Sequence, residues 1–234
     1  MGNDMNKVEA GKNYVITVGR QFGSGGRKVA KKVADMLGIE FYDKGLIAIA
    51  AKESGLSENL FEGIDEKPTN SLLYSLVMGL QSDRNSFYRY GDVLNSDAIF
   101  RIQSQVIQDL VKDNSCVIVG RCSDYVLRNQ DNVVNIFIHA NEEFKLERVM
   151  RIYKQKEKEA LETMKKTDKK RSNYYNFYTN QEWGNVTNYH ISVDSSALGI
   201  DDTAKIICDG VLTFSGSSNT LSPLASTTSK TFTF

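Results

Sequence analysis

Two groups of residues in this chain have the types and spacing to do chemistry. The first is the glycine cluster Gly23-Ser24-Gly25-Gly26, followed at once by the cations Arg27 and Lys28, within VITVGRQFGSGGRKVAKKVADMLGIEFYD. Glycines in a turn that opens a helix let backbone come close to an anion, and the N–H groups of Gly25, Gly26 and Arg27 would point toward it. Holding a phosphate is the chemistry that needs such a cradle. The second group is a set of arginines. Arg121 follows the apolar run CVIVG, Arg148 and Arg151 are three apart and share a helix face, and Arg171 lies three after Asp168. Phosphoryl transfer asks a protein mainly for positioning and for positive charge around the moving group. Asp168 can orient Arg171 and contact substrate. Asp43 can hold a substrate, bridge to Mg2+ or cap its own turn.

The glycine loop departs from the phosphate-loop consensus G-x-x-x-x-G-K-S/T. Placing Gly25 on the second consensus glycine puts Gly26 at the lysine, Arg27 at the serine or threonine, and Arg20 at the first glycine. Arg27 or Lys28 would then have to bring a cation over the phosphates. A glycine turn that serves only tight helix–strand packing is the alternative reading.

These residues need elements to position them. Val15–Val18 reads as a buried strand, and apolar residues at Val29, Ala30, Val33, Ala34 and Leu37 mark a helix stopped by Gly38. IEFYD is a second strand and KGLIAIAAKESG a second helix. SENLFEGIDEKPTNSLLYSLVMGL, broken at Pro68, predicts two more helices. SDAIFRIQSQVIQDLVKDN is an amphipathic helix. SCVIVGR and NVVNIFIHA are buried strands with the helix SDYVLRN between them, and YHISVDS is the last strand before the closing helix DDTAKIICDGVL. Strand, glycine loop, helix, strand makes a parallel βαβ unit with the loop at the carboxyl edge of the sheet. The predicted fold is therefore α/β: a five-stranded parallel sheet with helices on both faces and a charged helical lid over about residues 142–180. Residues 1–212 form the domain, and the serine- and threonine-rich 213–234 form a flexible tail.

Composition narrows the function classes. Hydrophobic residues are 41% and charged residues 25% of 234, which suits a globular domain with a sizeable core. Twenty-nine basic and 29 acidic residues cancel, so no global field points to nucleic acid or membrane. Three cysteines (Cys116, Cys122, Cys208) without metal-ligand spacing fit a reducing cytoplasm, and no signal segment or membrane-length run is visible. Lys165, Lys166 and Lys169 read as a solvated face, the aromatic stretch YYNFYTNQEW as packing, and His139 and His190 as structural. Cys122 reads as a small residue at a helix start.

Four stretches together resemble the bacterial cytidylate kinase-like family, related to the nucleoside monophosphate kinases: GRQFGSGGRKVAKKVADMLGIEFYD, CVIVGRCSDYVL, NIFIHANEEFKLERVMR and TDKKRSNYYNFYTNQEWG. The resemblance runs from about Tyr14 to Val211. It implies a P-loop core, a CMP-binding region and a lid, with the γ-phosphoryl of ATP passing to a nucleoside monophosphate in the presence of Mg2+. VGRC matches the GRD segment of cytidylate kinases, which implies that Arg121 is a substrate-phosphate ligand, with Cys122 in place of the aspartate. TDKKR matches the D-x-x-R of the lid, giving Asp168 and Arg171, while Met164 stands at a family arginine. Arg148 and Arg151 match basic positions at the lid's start. Asp43 matches a substrate-binding aspartate, but Lys44 and Ile49 stand at a serine and an arginine. The expected partners are ATP and a nucleoside monophosphate, CMP or dCMP first, with no membrane and no nucleic acid; the oligomeric state stays open. Two rivals remain: a degenerate loop that binds nucleotide without turnover, and a nucleic-acid-binding module built on the tyrosine and lysine cluster.

Overall fold

Five apolar runs form five strands: β1 (Val15–Arg20), β2 (Glu40–Tyr42), β3 (Cys116–Val119), β4 (Val133–His139) and β5 (Ile191–Asp194). The computed structural model of the chain describes residues 13–45, 47 and 90–216. Every pairing is parallel, in the order β2-β3-β1-β4-β5. Strands buried on both faces read as near-continuous β-branched runs, as VITV, CVIV and VVNIFI do here. The expected βαβ unit is split: β3 lies between β1 and β2, with Val15 opposite Cys116 and Val18 opposite Val119. β1 is thus the centre of the sheet, and the loop leaving it opens at the carboxyl edge between strands that run to opposite halves. In open α/β sheets ligands bind at such a place.

Alternation along β1 sends Ile16 and Val18 to one face and Val15 to the other. On the first face they meet Val29 and Val33 of α1 (Gly26–Leu37) and Ile207 and Val211 of α6 (Ser195–Gly216). On the second, Val15 and Ile118 pack with Ile102, Val106 and Ile107 of α2 (Tyr90–Leu110) and with Leu127, just after the short α3 (Ser123–Val126). Each fully buried Val or Ile contributes about 1.5–3 kcal/mol relative to exposure. Gly38 stops α1 at φ +66°, donating its N–H to the carbonyls of Ala34 and Asp35.

The charged segment forms α4 (Glu142–Tyr153) and α5 (Glu157–Thr179). Asn141 caps α4 by accepting from the Phe144 N–H. Val149, Ala160 and Met164 form a small core of their own with Phe22 of the glycine loop packed against it. The closing helix α6 runs to Gly216, past the expected boundary at 212, because Phe214 still packs on the core. A break at Gly199 (φ +74°) divides its first turn from the rest. Most of the helix expected in KGLIAIAAKESG, the two helices around Pro68, and the tail from 217 lie outside the described residues. No helix among the described residues is long and apolar enough to cross a membrane.

Candidate functional site

The loop is built from β1 outward. Gly23 (φ +84°) and Gly25 (φ +78°) take left-handed backbone, and Ser24 is buried with its hydroxyl donated to the Gln21 carbonyl. A Cβ on Gly23 would lie 2.9 Å from Lys145 Cβ and 3.0 Å from the Lys145 carbonyl oxygen, so α4 rests directly on the loop. Two expectations change at this point. The Gly26 N–H is turned back onto Ser24 Oγ at 3.3 Å, so this donor serves the loop itself. Arg27 is an exposed side chain held sideways by Asp43, with Nε and Nη2 at 2.7 and 2.6 Å from Oδ2. Asp43 also accepts from the Gly45 N–H at 2.9 Å, which makes it a turn cap and an arginine partner.

The turn after β3 carries Arg121. Gly120, Arg121 and Cys122 follow one another at φ +75°, +61° and +54°. For the two residues with a Cβ this costs on the order of 1–2 kcal/mol each, and such strain persists only where the surroundings enforce it. Here they do: the Gly120 N–H donates to the Val18 carbonyl, the Ser123 N–H to the Gly120 carbonyl, and Cys122 is 4% exposed at the N-cap of α3. The Arg121 guanidinium donates from Nη1 to Oε1 of the buried Gln103 at 3.3 Å, an oxygen that also accepts from Tyr174 at 3.4 Å. Burial raises the Cys122 thiol far above its usual range, which suits packing rather than nucleophilic attack.

α5 is fastened to the loop by the pair that the D-x-x-R match singled out. Asp168 Oδ1 accepts from the Phe22 N–H at 2.7 Å and lies 3.4 Å from Arg171 Nη1, which donates to the Arg20 carbonyl at 2.9 Å. Asp168 is thereby a backbone acceptor that orients Arg171. Burial raises its carboxyl above the usual value, against the lowering pull of the Phe22 N–H and Arg171.

Around these elements cations crowd one cavity. It measures about 330 Å³ and is flanked by Arg20, Lys44, Arg121, Lys170 and Arg171. Tyr174, Trp183 and Tyr189 supply its aromatic wall. Burial, then the charges of Arg121, Arg20 and Arg171, lowers Lys44 from 10.5 to about 8. Arg20 is lowered to about 9 by burial and then by Arg171 and Arg121. Burial also raises Asp124, which accepts from the Tyr175 hydroxyl at 2.7 Å. A second cavity, about 240 Å³, lies over Gly23, Gly25 and Gly26 between Lys28, Arg148 and Tyr153. Arg20 and Arg171 line both.

The structure therefore brings Arg121 and Arg171 to the larger cavity, and Gly23, Gly25, Gly26, Arg27, Lys28 and Arg148 to the smaller one. Ser24, Asp43 and Asp168 support these residues from outside either lining. Arg151 is exposed on α4 and lines neither cavity, although its charge still reaches Arg148 and lowers that guanidinium after burial does. Lys165, Lys166 and Lys169 are exposed. The aromatic stretch divides: Tyr178 stacks on Phe100 at 4.1 Å, whereas Tyr174, Tyr175 and Trp183, the last edge-on to Phe137, line the larger cavity. His190 accepts the Asn135 N–H on Nδ1, a structural role. Arg20, Lys44 and Lys170 are the site residues that sequence reasoning passed over. The available signal for Arg20 was its place at the first consensus glycine.

A solved structure of an uncharacterized protein from Eubacterium ventriosum is 28% identical, covers 85% of this chain and 98% of its own, and superposes with a TM-score of 0.61. Shikimate kinase from Bacteroides thetaiotaomicron is 12% identical at a TM-score of 0.47, covering 85% of this chain and 98% of its own. Shikimate kinase from Acinetobacter baumannii, solved with shikimate, is 13% identical at 0.46, covering 86% and 94%. Among curated proteins no significant match is found. The family model described as the cytidylate kinase-like family matches residues 15–197, which span all five strands, the glycine loop and both charged helices. The chain, an α/β protein with a five-stranded parallel sheet, belongs to the cytidylate kinase-like family.

Proposed function

We propose that this protein moves the γ-phosphoryl group of Mg·ATP to a nucleoside monophosphate, with CMP or dCMP the foremost acceptors. The observation that carries the reading is the pair of cavities that meet at Arg20 and Arg171. The smaller lies over a glycine turn at a helix start and suits a triphosphate, with Arg148 above Gly25. The larger joins five cations to an aromatic wall and suits a phosphate monoester carrying a planar base. Arg121 and Lys44 face the acceptor phosphate, and Arg171, aimed by Asp168, stands between donor and acceptor. Preference for cytosine rests on family membership.

Among the described residues no group of three or more His, Cys, Asp or Glu side chains could hold a metal ion. Arg27 occupies the position where the consensus loop offers a hydroxyl. In the proposed reaction the Mg2+ comes as part of the substrate, carried by the ATP phosphates. The rival reading, nucleotide binding without turnover, draws on Gly26 at the lysine position and its inward N–H.

Coupled ADP release measured over CMP, dCMP, UMP, AMP and GMP tests the proposal. Faster release with CMP or dCMP supports it. ATP binding by calorimetry with no acceptor-dependent release would hand the site to the rival reading.

A further inference from the structure

Two departures from the loop consensus fall on residues that touch. Arg20 replaces the first glycine and Gly26 replaces the lysine. A Cβ on Gly26 would lie 2.5 Å from the Cβ of Arg20, 3.1 Å from its Cγ and 3.3 Å from Ile138 Cβ. Arg20 therefore begins its side chain in the space that a residue at 26 would need. The far end of the same side chain reaches Gly120, where a Cβ would lie 2.2 Å from Arg20 Nη1. Both glycines leave room for one arginine. Its path runs from the glycine loop to the turn that carries Arg121, and it lines the donor and the acceptor cavities alike.

We propose that Arg20 is a catalytic residue that supplies, from the first-glycine position, the positive charge that a phosphate loop ordinarily takes from its lysine. The inference rests on the phosphoryl-transfer reading above and names the cation that reading lacks. Arg27, the earlier candidate, is drawn off by Asp43. The carboxylates whose charge reaches Arg20, Asp168 and Asp43, are engaged by Phe22 and Arg171 in one case and by Arg27 and Gly45 in the other. Arg20 is half-buried beside two further arginines, an arrangement that an arriving phosphate relieves. During transfer the bond from the γ-phosphorus to the β–γ bridging oxygen breaks and one to an acceptor phosphate oxygen forms. Arg20 donates hydrogen bonds to the charge gathered on the equatorial and leaving oxygens, and it gives up no proton.

The test compares Arg20→Gln, Arg20→Lys, Arg20→Gly, Gly26→Lys and the double variant Arg20→Gly/Gly26→Lys. For each, kcat in ADP release, Kd for ATP and for ADP, and Tm are measured. Arg20→Gln should lose about 10²–10³ in kcat and bind ATP more weakly while ADP binding changes little. Arg20→Lys should recover part of the loss. Gly26→Lys alone should be inactive, since its side chain meets Arg20, and the double variant should turn over faster than Arg20→Gly. A kcat for Arg20→Gln within about threefold of wild type overturns the proposal. So does an equal loss of ATP and ADP affinity that tracks Tm. If wild type transfers phosphoryl to no monophosphate, the functional reading falls by itself. The ratio of ATP to ADP affinity then still decides Arg20: a ratio unchanged in Arg20→Gln overturns its role, and a collapsed ratio supports it.

Discussion

Removing the Asp168 carboxylate should separate two jobs that meet on one side chain. In Asp168→Ala the Phe22 N–H loses a charged acceptor at 2.7 Å, and Arg171 loses its partner at 3.4 Å. A hydrogen bond to a charged group contributes about 1.5–3 kcal/mol. The ion pair adds about 1 kcal/mol at most, since side-chain exposures of 25% and 21% leave solvent to screen it. The expected loss is therefore about 2–4 kcal/mol, a fall of about 1–2 M in urea midpoint at a slope near 2 kcal/mol/M. Asp168→Asn keeps an oxygen for the Phe22 N–H and avoids ionising a half-buried group, so it should lose about half as much.

The pH dependence has a definite sign. Burial raises the Asp168 carboxyl, so the folded chain holds this proton more tightly than the unfolded chain. The pH-dependent part of its contribution is present in full at acid pH and lost as pH rises through its folded-state value, leaving the hydrogen bond to Phe22. Wild type should accordingly gain on Asp168→Asn as the pH falls through that value. Both variants should lower kcat, since Arg171 is no longer aimed. Equal midpoints for wild type and Asp168→Ala, or an Asn variant as unstable as Ala at neutral pH, would refute the clamp.

Two further outcomes follow from the same geometry. Arg121→Ala should cost about 2.7–4 kcal/mol of transition-state stabilisation, or 10²–10³ in kcat, with ATP affinity nearly unchanged because Arg121 lines only the larger cavity; steady-state kinetics with calorimetry checks both. Binding of a phosphate monoester should take up protons near pH 8, because the anion offsets the cations that lower Lys44 to about 8 and Arg20 to about 9. Calorimetry in buffers of different ionisation enthalpy reads this uptake, and Lys44→Met should remove most of it; an enthalpy independent of buffer would contradict it.

The strands were legible because parallel strands buried on both faces are written as continuous apolar runs, and the glycine loop because turn chemistry is local. The order of the strands was not. Nothing in VITV or EFY says that CVIV will lie between them, since that depends on pairing Cys116 with Val15 on one side and with Glu40 on the other, far apart in the chain. Arg121 was found by its place at a strand end together with the family match. Asp168 was found by motif, but its acceptor role depends on Phe22, 146 residues away, and no spacing rule spans that distance. Arg20 was visible only as a mismatch. Its meaning appears when Gly26 and Gly120 are seen to be small on its account.

The same contacts limit how residues 142–180 can act as a lid. A lid closing as one body would swing α4 and α5 together over the loop. Yet α5 is tied to the backbone of Arg20 and Phe22 through Arg171 and Asp168, and α4 lies against Gly23. Val149, Ala160 and Met164 bury their side chains between the two helices, with Phe22 on the same cluster. Swinging the pair away would break a charged hydrogen bond worth about 1.5–3 kcal/mol and expose that cluster as well. Exposed residues such as Lys154 (φ +58°) and Lys156, in the link between the helices, have no such tie to the loop. Motion that leaves the clamp intact is therefore confined to this link and the outer turns beside it. Any larger closure must carry the glycine loop along. In that case the loop and the arginines that serve it move as one unit, and their mutual geometry survives the motion.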